Sequence, residues 1–115
     1  MKFETLLLMA NPRDEEEEDM ALLCCYATTG ELFLMTRFPD DDEIEITLGE
    51  DDPVLVRDIK VTVEPGVLKV EATGGLFHGS DLLEIEHDTD AADMPDVLET
   101  LENVLQDTGT LVKAL

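Results

Sequence analysis

Arg57 to Ala72 reads RDIKVTVEPGVLKVEA. Ile59, Val61 and Val63 alternate with Lys60, Thr62 and Glu64, the period of two of a half-buried strand. Pro65-Gly66 breaks the pattern. Proline pre-sets φ for the first central position of a turn, and glycine accepts the positive φ that a type II turn needs at the second. Beyond it, Leu68, Val70 and Ala72 alternate with Val67, Lys69 and Glu71. Two antiparallel strands joined by a tight turn are predicted. One face of this hairpin is apolar, so the rest of the chain must cover it.

Upstream, Lys2 to Met9 has the character of a first strand, which Asn11-Pro12 is expected to end. Asp14 to Asp19 (DEEEED) follows as an acidic loop, since six like charges in a row stay in water. Met20 to Ala27 is apolar at odd and even positions alike, which predicts an interior strand covered on both sides. Thr28-Thr29-Gly30 is a turn and Glu31 to Phe38 a second apolar strand, together a hairpin at the middle of the sheet. Pro39 and Asp40 to Asp42 form another acidic loop. Ile44, Ile46 and Leu48 then alternate with Glu43, Glu45 and Thr47, a strand with one wet face, before a third acidic loop, Gly49 to Pro53.

Downstream, Thr73 to Ser80 (TGGLFHGS) is a glycine-rich loop, and Leu83, Ile85 and His87 alternate with Glu84 and Glu86 as one more strand. The period then changes. Met94, Val97, Leu98, Leu101, Val104 and Leu105 share one helix face. Asp90 or Asp93 is placed to cap its start, Pro95 fits its first turn, and Gly109 lies just past its end. The tail from Thr110 is either a short strand or frayed. The expected class is α+β: a mainly antiparallel sheet of about seven strands, open to curling into two layers, with one C-terminal amphipathic helix over one face.

The 115 residues make a single domain, residues 1–115, and 43% of them are apolar, enough for a modest core. There are 29 Asp and Glu against 7 Lys and Arg, a formal net charge of -22. Ordinary solubility needs a net charge of only about 2–8. Direct contact with nucleic acid or an anionic membrane surface is not expected, because both are polyanions. No secretory signal is expected in the five-residue apolar start LLLMA, and no apolar run approaches the roughly 20 residues of a membrane span. Cys24 and Cys25 are neighbours, which on a strand face opposite ways, so a bond between them is not expected. Buried thiols of a cytoplasmic protein are the expectation.

No catalytic constellation is indicated, so the expectation is not an enzyme, with no cofactor and no metal. His78 and His87 lack a cysteine partner at metal-ligand spacing, and Ser80 lacks the strand–elbow–helix setting of a hydrolase serine. Asp88, Asp90, Asp93 and Glu99 faintly echo a calcium loop. Asp93 stands where that loop needs glycine, and carboxylates are favoured at a helix start in any case. TGGLFHGS has neither the lysine of a P-loop nor GxGxxG spacing. It reads as a mobile loop; Leu76-Phe77 at its tip, if exposed, is a candidate partner anchor, with Phe38 a second candidate if its strand end is exposed. The acidic loops Asp14–Asp19, Asp40–Glu43 and Glu50–Asp52 are separate in sequence but able to gather on one sheet edge, and Asp96, Glu99 and Glu102 add to them from the wet side of the helix. The expected partner-binding residues are Asp40, Asp41, Asp42, Glu43, Glu50, Asp51, Asp52 and Phe77.

Three runs carry a family resemblance. ELFLMTR (Glu31 to Arg37) resembles the apolar strand ending in arginine of the immunity protein 10 family of bacterial polymorphic toxin systems. EIEITLGEDDPVLVRDIKVTVEPGVLKVE (Glu43 to Glu71) continues it with an acidic turn, a strand and a hairpin. LLEIEHDTDAADMPDVLETLENVLQ (Leu82 to Gln106) is similar to its strand, acidic linker and short helix. Asp14 to Asp19 and the glycine-poor Pro53 to Val56 depart from the family's pattern. The resemblance implies an immunity protein that neutralises a cognate toxin, so the expected partner is a basic protein, a toxin domain. Charge alone leaves two alternatives open: a DNA mimic that blocks a DNA-binding defence enzyme, and a salt-adapted acidic domain. DIKVTVEPGVLKVEA (Asp58 to Ala72) is also similar to the start of the α-crystallin domain of small heat-shock proteins, whose later strands and Ile-x-Ile tail have no counterpart here.

Overall fold

The computed structural model describes all residues, Met1–Leu115. The hairpin forms as its alternation requires. β6 (Ile59–Glu64) and β7 (Val67–Glu71) pair antiparallel with Val61 opposite Val70 and Val63 opposite Leu68, all four fully buried. Gly66 turns at φ +71.

The remaining strands are β1 (Lys2–Asp14), β2 (Met20–Ala27), β3 (Leu32–Arg37), β4 (Ile44–Leu48), β5 (Val54–Val56), β8 (Leu82–Glu86) and β9 (Gly109–Lys113). They join the hairpin in one nine-stranded sheet of order β5-β4-β3-β2-β1-β8-β7-β6-β9. That is two strands more than expected, β5 and β9 being the additions. β5 has three residues, too few for an alternation to show, and β9 is the tail left undecided above. The sheet is mainly antiparallel, as expected, and departs from this at two pairings, where β1 runs parallel to β8 and β9 parallel to β6.

The sheet must curl. β5 and β6 stand first and eighth in the order, about 34 Å apart if the sheet were flat. Arg57-Asp58 is all that separates them in sequence, and three Cα steps span at most about 11 Å. The curl turns one face of every strand inward. Leu23, Phe33 and Ile46 from one half meet Val61, Leu68 and Ile85 from the other in a single core. β1 belongs to both halves. Lys2–Glu4 pair with β8, a register shift falls between Thr5 and Leu7, and the rest of the strand pairs with β2.

Asn11-Pro12 does not end β1, contrary to expectation. The strand runs on to Asp14, with Pro12 inside a second register shift where no ladder hydrogen bond is asked of it. The acidic run beyond it is a 3₁₀ turn (Glu15–Glu17), with Asp14 Oδ1 accepting from the Glu16 N–H. Cys25 is in the core and Cys24 on the opposite face. Both are free and buried, and burial pushes both thiols up.

The helix α1 (Met94–Leu105) buries Val97, Thr100, Leu101, Val104 and Leu105, and packs against β1, β2, β3 and β9. Asp93 is at its N-cap position, but its side chain makes no capping bond. Gly109 is not a helix cap. It lies in β9 opposite Ile59, where a Cβ would meet the Ile59 carbonyl oxygen at 2.7 Å and Leu105 Cδ2 at 2.6 Å. Gly109→Ala is expected to cost about 1–3 kcal/mol in urea unfolding, because β9 and the helix end would have to separate. An unchanged midpoint would mean that this strand is not held as described.

Candidate functional site

Strand register decides where the acids go. Arg37 at the end of β3 pairs with Ala21 at the start of β2, so the loops 38–43 and 14–19 emerge at the same end of the molecule. Leu48 pairs with Phe33, so Glu50, Asp51 and Asp52 emerge at the other end. The four residue steps from Phe33 to Arg37 cover about 13 Å. That exceeds the roughly 8 Å screening length at physiological salt, so the two groups act separately. The three acidic loops therefore do not gather as expected: Asp40, Asp41, Asp42 and Glu43 join Asp14–Asp19, while Glu50–Asp52 sit apart. Asp51 Oδ2 is 3.6 Å from His78 Nε2.

The first end is built around Arg37, which ends an apolar strand and is almost wholly buried. Its Nε and Nη2 donate to the Asp41 carbonyl oxygen at 3.1 and 2.9 Å. Nη1 donates to the Val104 and Leu105 carbonyl oxygens, both at 3.2 Å, and Nη2 to Asp107 Oδ1 at 2.9 Å. The last carbonyls of a helix have no partner within it, and Arg37 supplies donors to two of them. One side chain thus ties the β3–β4 acidic loop to the helix end. Its hydrogen bond holds the Asp107 carboxyl below the usual range. Between this loop, the β1–β2 corner and the helix is a cleft of about 310 Å³ with Asp19 and Glu99 on its walls.

The cations do not balance this end. Each of the seven Lys and Arg has a carboxylate within 4.0 Å, Arg13 with Asp19 and Arg57 with Glu43 among them. None is left for Glu15–Glu18 or Asp40–Asp42. On the helix, Asp96, Glu99 and Glu102 face water, and only Glu102 has a partner, Lys113 at 2.7 Å.

Phe77 is not a surface anchor. It is 0% exposed, with its ring 6.2 Å from that of Phe33 in an edge-on contact. Phe77 and Ser80 exchange both backbone hydrogen bonds at 3.0 Å, which folds the loop over its own aromatic residue. A lone phenylalanine between glycines has no periodicity to reveal which way it points. Phe38 is half-buried.

A second cleft, of about 420 Å³, runs between β1 and the helix start. Leu6, Leu8 and Val97 line it together with His87, Asp88, Asp90, Asp93 and Asp96. The residues of the calcium-like pattern bring no three His, Cys, Asp or Glu side chains together at a metal-holding distance. His87 is buried, its Nδ1 lies 2.9 Å from Thr89 Oγ1, and its Nε2 has no partner. Burial lowers its pKa, and outweighs the opposing charge of Asp88. Folding therefore favours the neutral ring. That contribution is intact above about pH 6.5 and is lost as pH falls from there through the folded value. Relative to His87→Gln, the parent is expected to lose melting temperature between about pH 7 and pH 5. A pH-independent difference would count against this.

Arg37 was not singled out as a site residue by sequence; its place at the end of an apolar strand was the available signal. No helix is long and apolar enough to cross a membrane. No protein-family model matches the chain, and neither a curated protein nor a solved structure matches it.

Proposed function

We propose that this chain is a non-enzymatic acidic binding protein that neutralises a cognate bacterial toxin domain by occluding a basic surface. The supporting observation is the acidic end held by Arg37. Its bonds to the Asp41 carbonyl oxygen fix the β3–β4 loop beside Asp14–Asp19 and the acidic helix row. Carboxylates held in place before binding have less ordering entropy to lose on association. Their unbalanced field steers a basic partner and raises its on-rate. The resemblance to the immunity protein 10 family supplies the class of partner. Lys and Arg of the toxin pair with Asp40–Asp42 and the neighbouring acids. If the toxin is a nuclease, these carboxylates stand where nucleic-acid phosphates would.

The test is growth rescue. The protein encoded beside this gene is expressed in a bacterial host with and without the chain. Growth arrest by that protein, relieved by the chain, is the expected result. With the purified pair, the triple change Asp40→Asn, Asp41→Asn and Asp42→Asn is expected to slow association about tenfold at physiological salt, and less as salt rises. No rescue, together with a fold that melts as salt is removed, would assign the charge to solvent and overturn the proposal. Competition with duplex DNA for a DNA-processing enzyme would favour the mimic.

A further inference from the structure

The curled sheet has an outer face as well as a core face, and its two halves treat that face differently. Over β6, β7 and β8 it carries charge in the ordinary way, with Lys60 near Glu71 and Lys69 near Glu64. Over β1 to β3 it is largely apolar, while on β4 the same face carries Glu45 and Thr47. Leu7 is opposite Tyr26, Met9 opposite Cys24, and Cys24 opposite Leu34. Directly opposed residues share a face. Leu7, Met9 and Tyr26 are 48%, 43% and 42% exposed. The helix cannot cover them. It lies on the core side, where Arg37 bonds its last carbonyls. β2 is apolar on both faces, as a strand covered twice would be, yet this molecule covers it once.

We infer that the outer face of β1–β3 is the dry centre of a docking surface for a protein whose own apolar patch is rimmed by Lys and Arg. This rests on the reading of the chain as a binder of a basic partner, and it moves the apolar contact from Phe77 to Tyr26 and its neighbours. An apolar centre with a polar rim, rich in Tyr and Met, is how protein interfaces are built. The rim here is acidic at both ends: Asp14–Asp19 and Asp40–Glu43 at one, Glu50–Asp52 at the other. The cations near it, Arg13 and Arg57, are already paired. Charge therefore selects the occupant. A second copy would bring the same acidic rim and another net charge of -22, and an anionic membrane is repelled.

The probes are two synthetic peptides of equal positive charge: an oligolysine, and one in which lysine alternates with leucine. Both are titrated into the isotope-labelled full chain and followed by backbone amide shifts. The alternating peptide is expected to shift Leu7, Cys24, Tyr26 and Leu34, and to stay bound at about 0.3 M salt, where screening is strong. The oligolysine is expected to shift only the acidic loops and to be released. Tyr26→Thr and Met9→Thr, at exposed strand positions that tolerate threonine, are expected to weaken the alternating peptide at least about tenfold. They leave the oligolysine unchanged. If the alternating peptide shifts only the acidic loops, the outer face is not a docking surface, while the acidic-binder reading stands. If neither peptide binds, that reading fails as well. A sedimenting dimer that Tyr26→Thr disperses would make the occupant a second copy and overturn the choice of a basic partner.

Discussion

Phe77→Ala is expected to lower the free energy of unfolding by about 3–5 kcal/mol, the usual loss for truncating a buried phenylalanine. The ring is fully buried and meets Phe33 edge-on, so its removal opens a cavity between the β7–β8 loop and β3. For a chain of this length the loss corresponds to a melting temperature lower by roughly 12–20 °C. Domain stabilities are about 5–15 kcal/mol in total, so the variant would sit near the edge of folding. Phe77→Leu fills most of the volume and is expected to cost less than half as much. A surface anchor behaves in the opposite way, leaving stability within about 0.5 kcal/mol and weakening the partner complex. Thermal unfolding of the two variants decides between these roles. A melting temperature close to that of the parent would restore Phe77 to the surface.

Arg37→Ala is expected to cost about 2–4 kcal/mol. The guanidinium donates to the carbonyl oxygens of Asp41, Val104 and Leu105. The Leu105 oxygen keeps the Thr108 N–H at 2.9 Å, so the Val104 oxygen is the buried acceptor left without a donor, at about 1–3 kcal/mol. The lost packing of the buried stem adds to this. Arg37→Lys is expected to recover only part of this, because an ammonium cannot reproduce the fork that spans the loop and the helix end. Asp107→Asn is the control. Its carboxylate is exposed, so losing this pair alone is expected to matter far less. The second readout is amide exchange at Asp41, whose N–H bonds the Phe38 carbonyl oxygen at 3.1 Å. Faster exchange there, beyond what the global destabilisation explains, is expected when the loop loses its tie. The partner's on-rate is then expected to change little, since long-range steering needs only the charge, while the complex dissociates faster. Parent-like stability in Arg37→Ala would mean that the acidic end is not held by this residue.

The hairpin β6–β7 was legible because everything that specifies it is local. Alternation sets the buried face, Pro65-Gly66 sets the turn, and their spacing sets the register. The helix was legible for the same reason, with its apolar stripe and Pro95 marking extent and start. Other features were read less well. Pro12 has the usual meaning of a strand breaker, but a register shift absorbs it. Gly109 has the look of a helix cap, yet it is needed for the close approach of Ile59 and Leu105. Phe77 lies in a segment with no period at all, and only the packing against Phe33 turns it inward. Of the expected site residues, Asp40–Asp42 and Glu43 come together with Asp14–Asp19, while Glu50–Asp52 are carried to the far end by the pairing of Leu48 with Phe33.

The amino-acid sequence by itself determined the alternating strands that make a core face, the single amphipathic helix and an excess of acid that no internal cation can balance. These depend on residue type and short-range period, which the chain carries whatever its partners. Only the tertiary structure decided that β1 and β8, and β6 and β9, run parallel, that Arg37 closes the acidic end, and that one apolar face of β2 stays open. Each of these depends on which distant segment a strand meets and in what register, and a period of two is the same for either face and either neighbour.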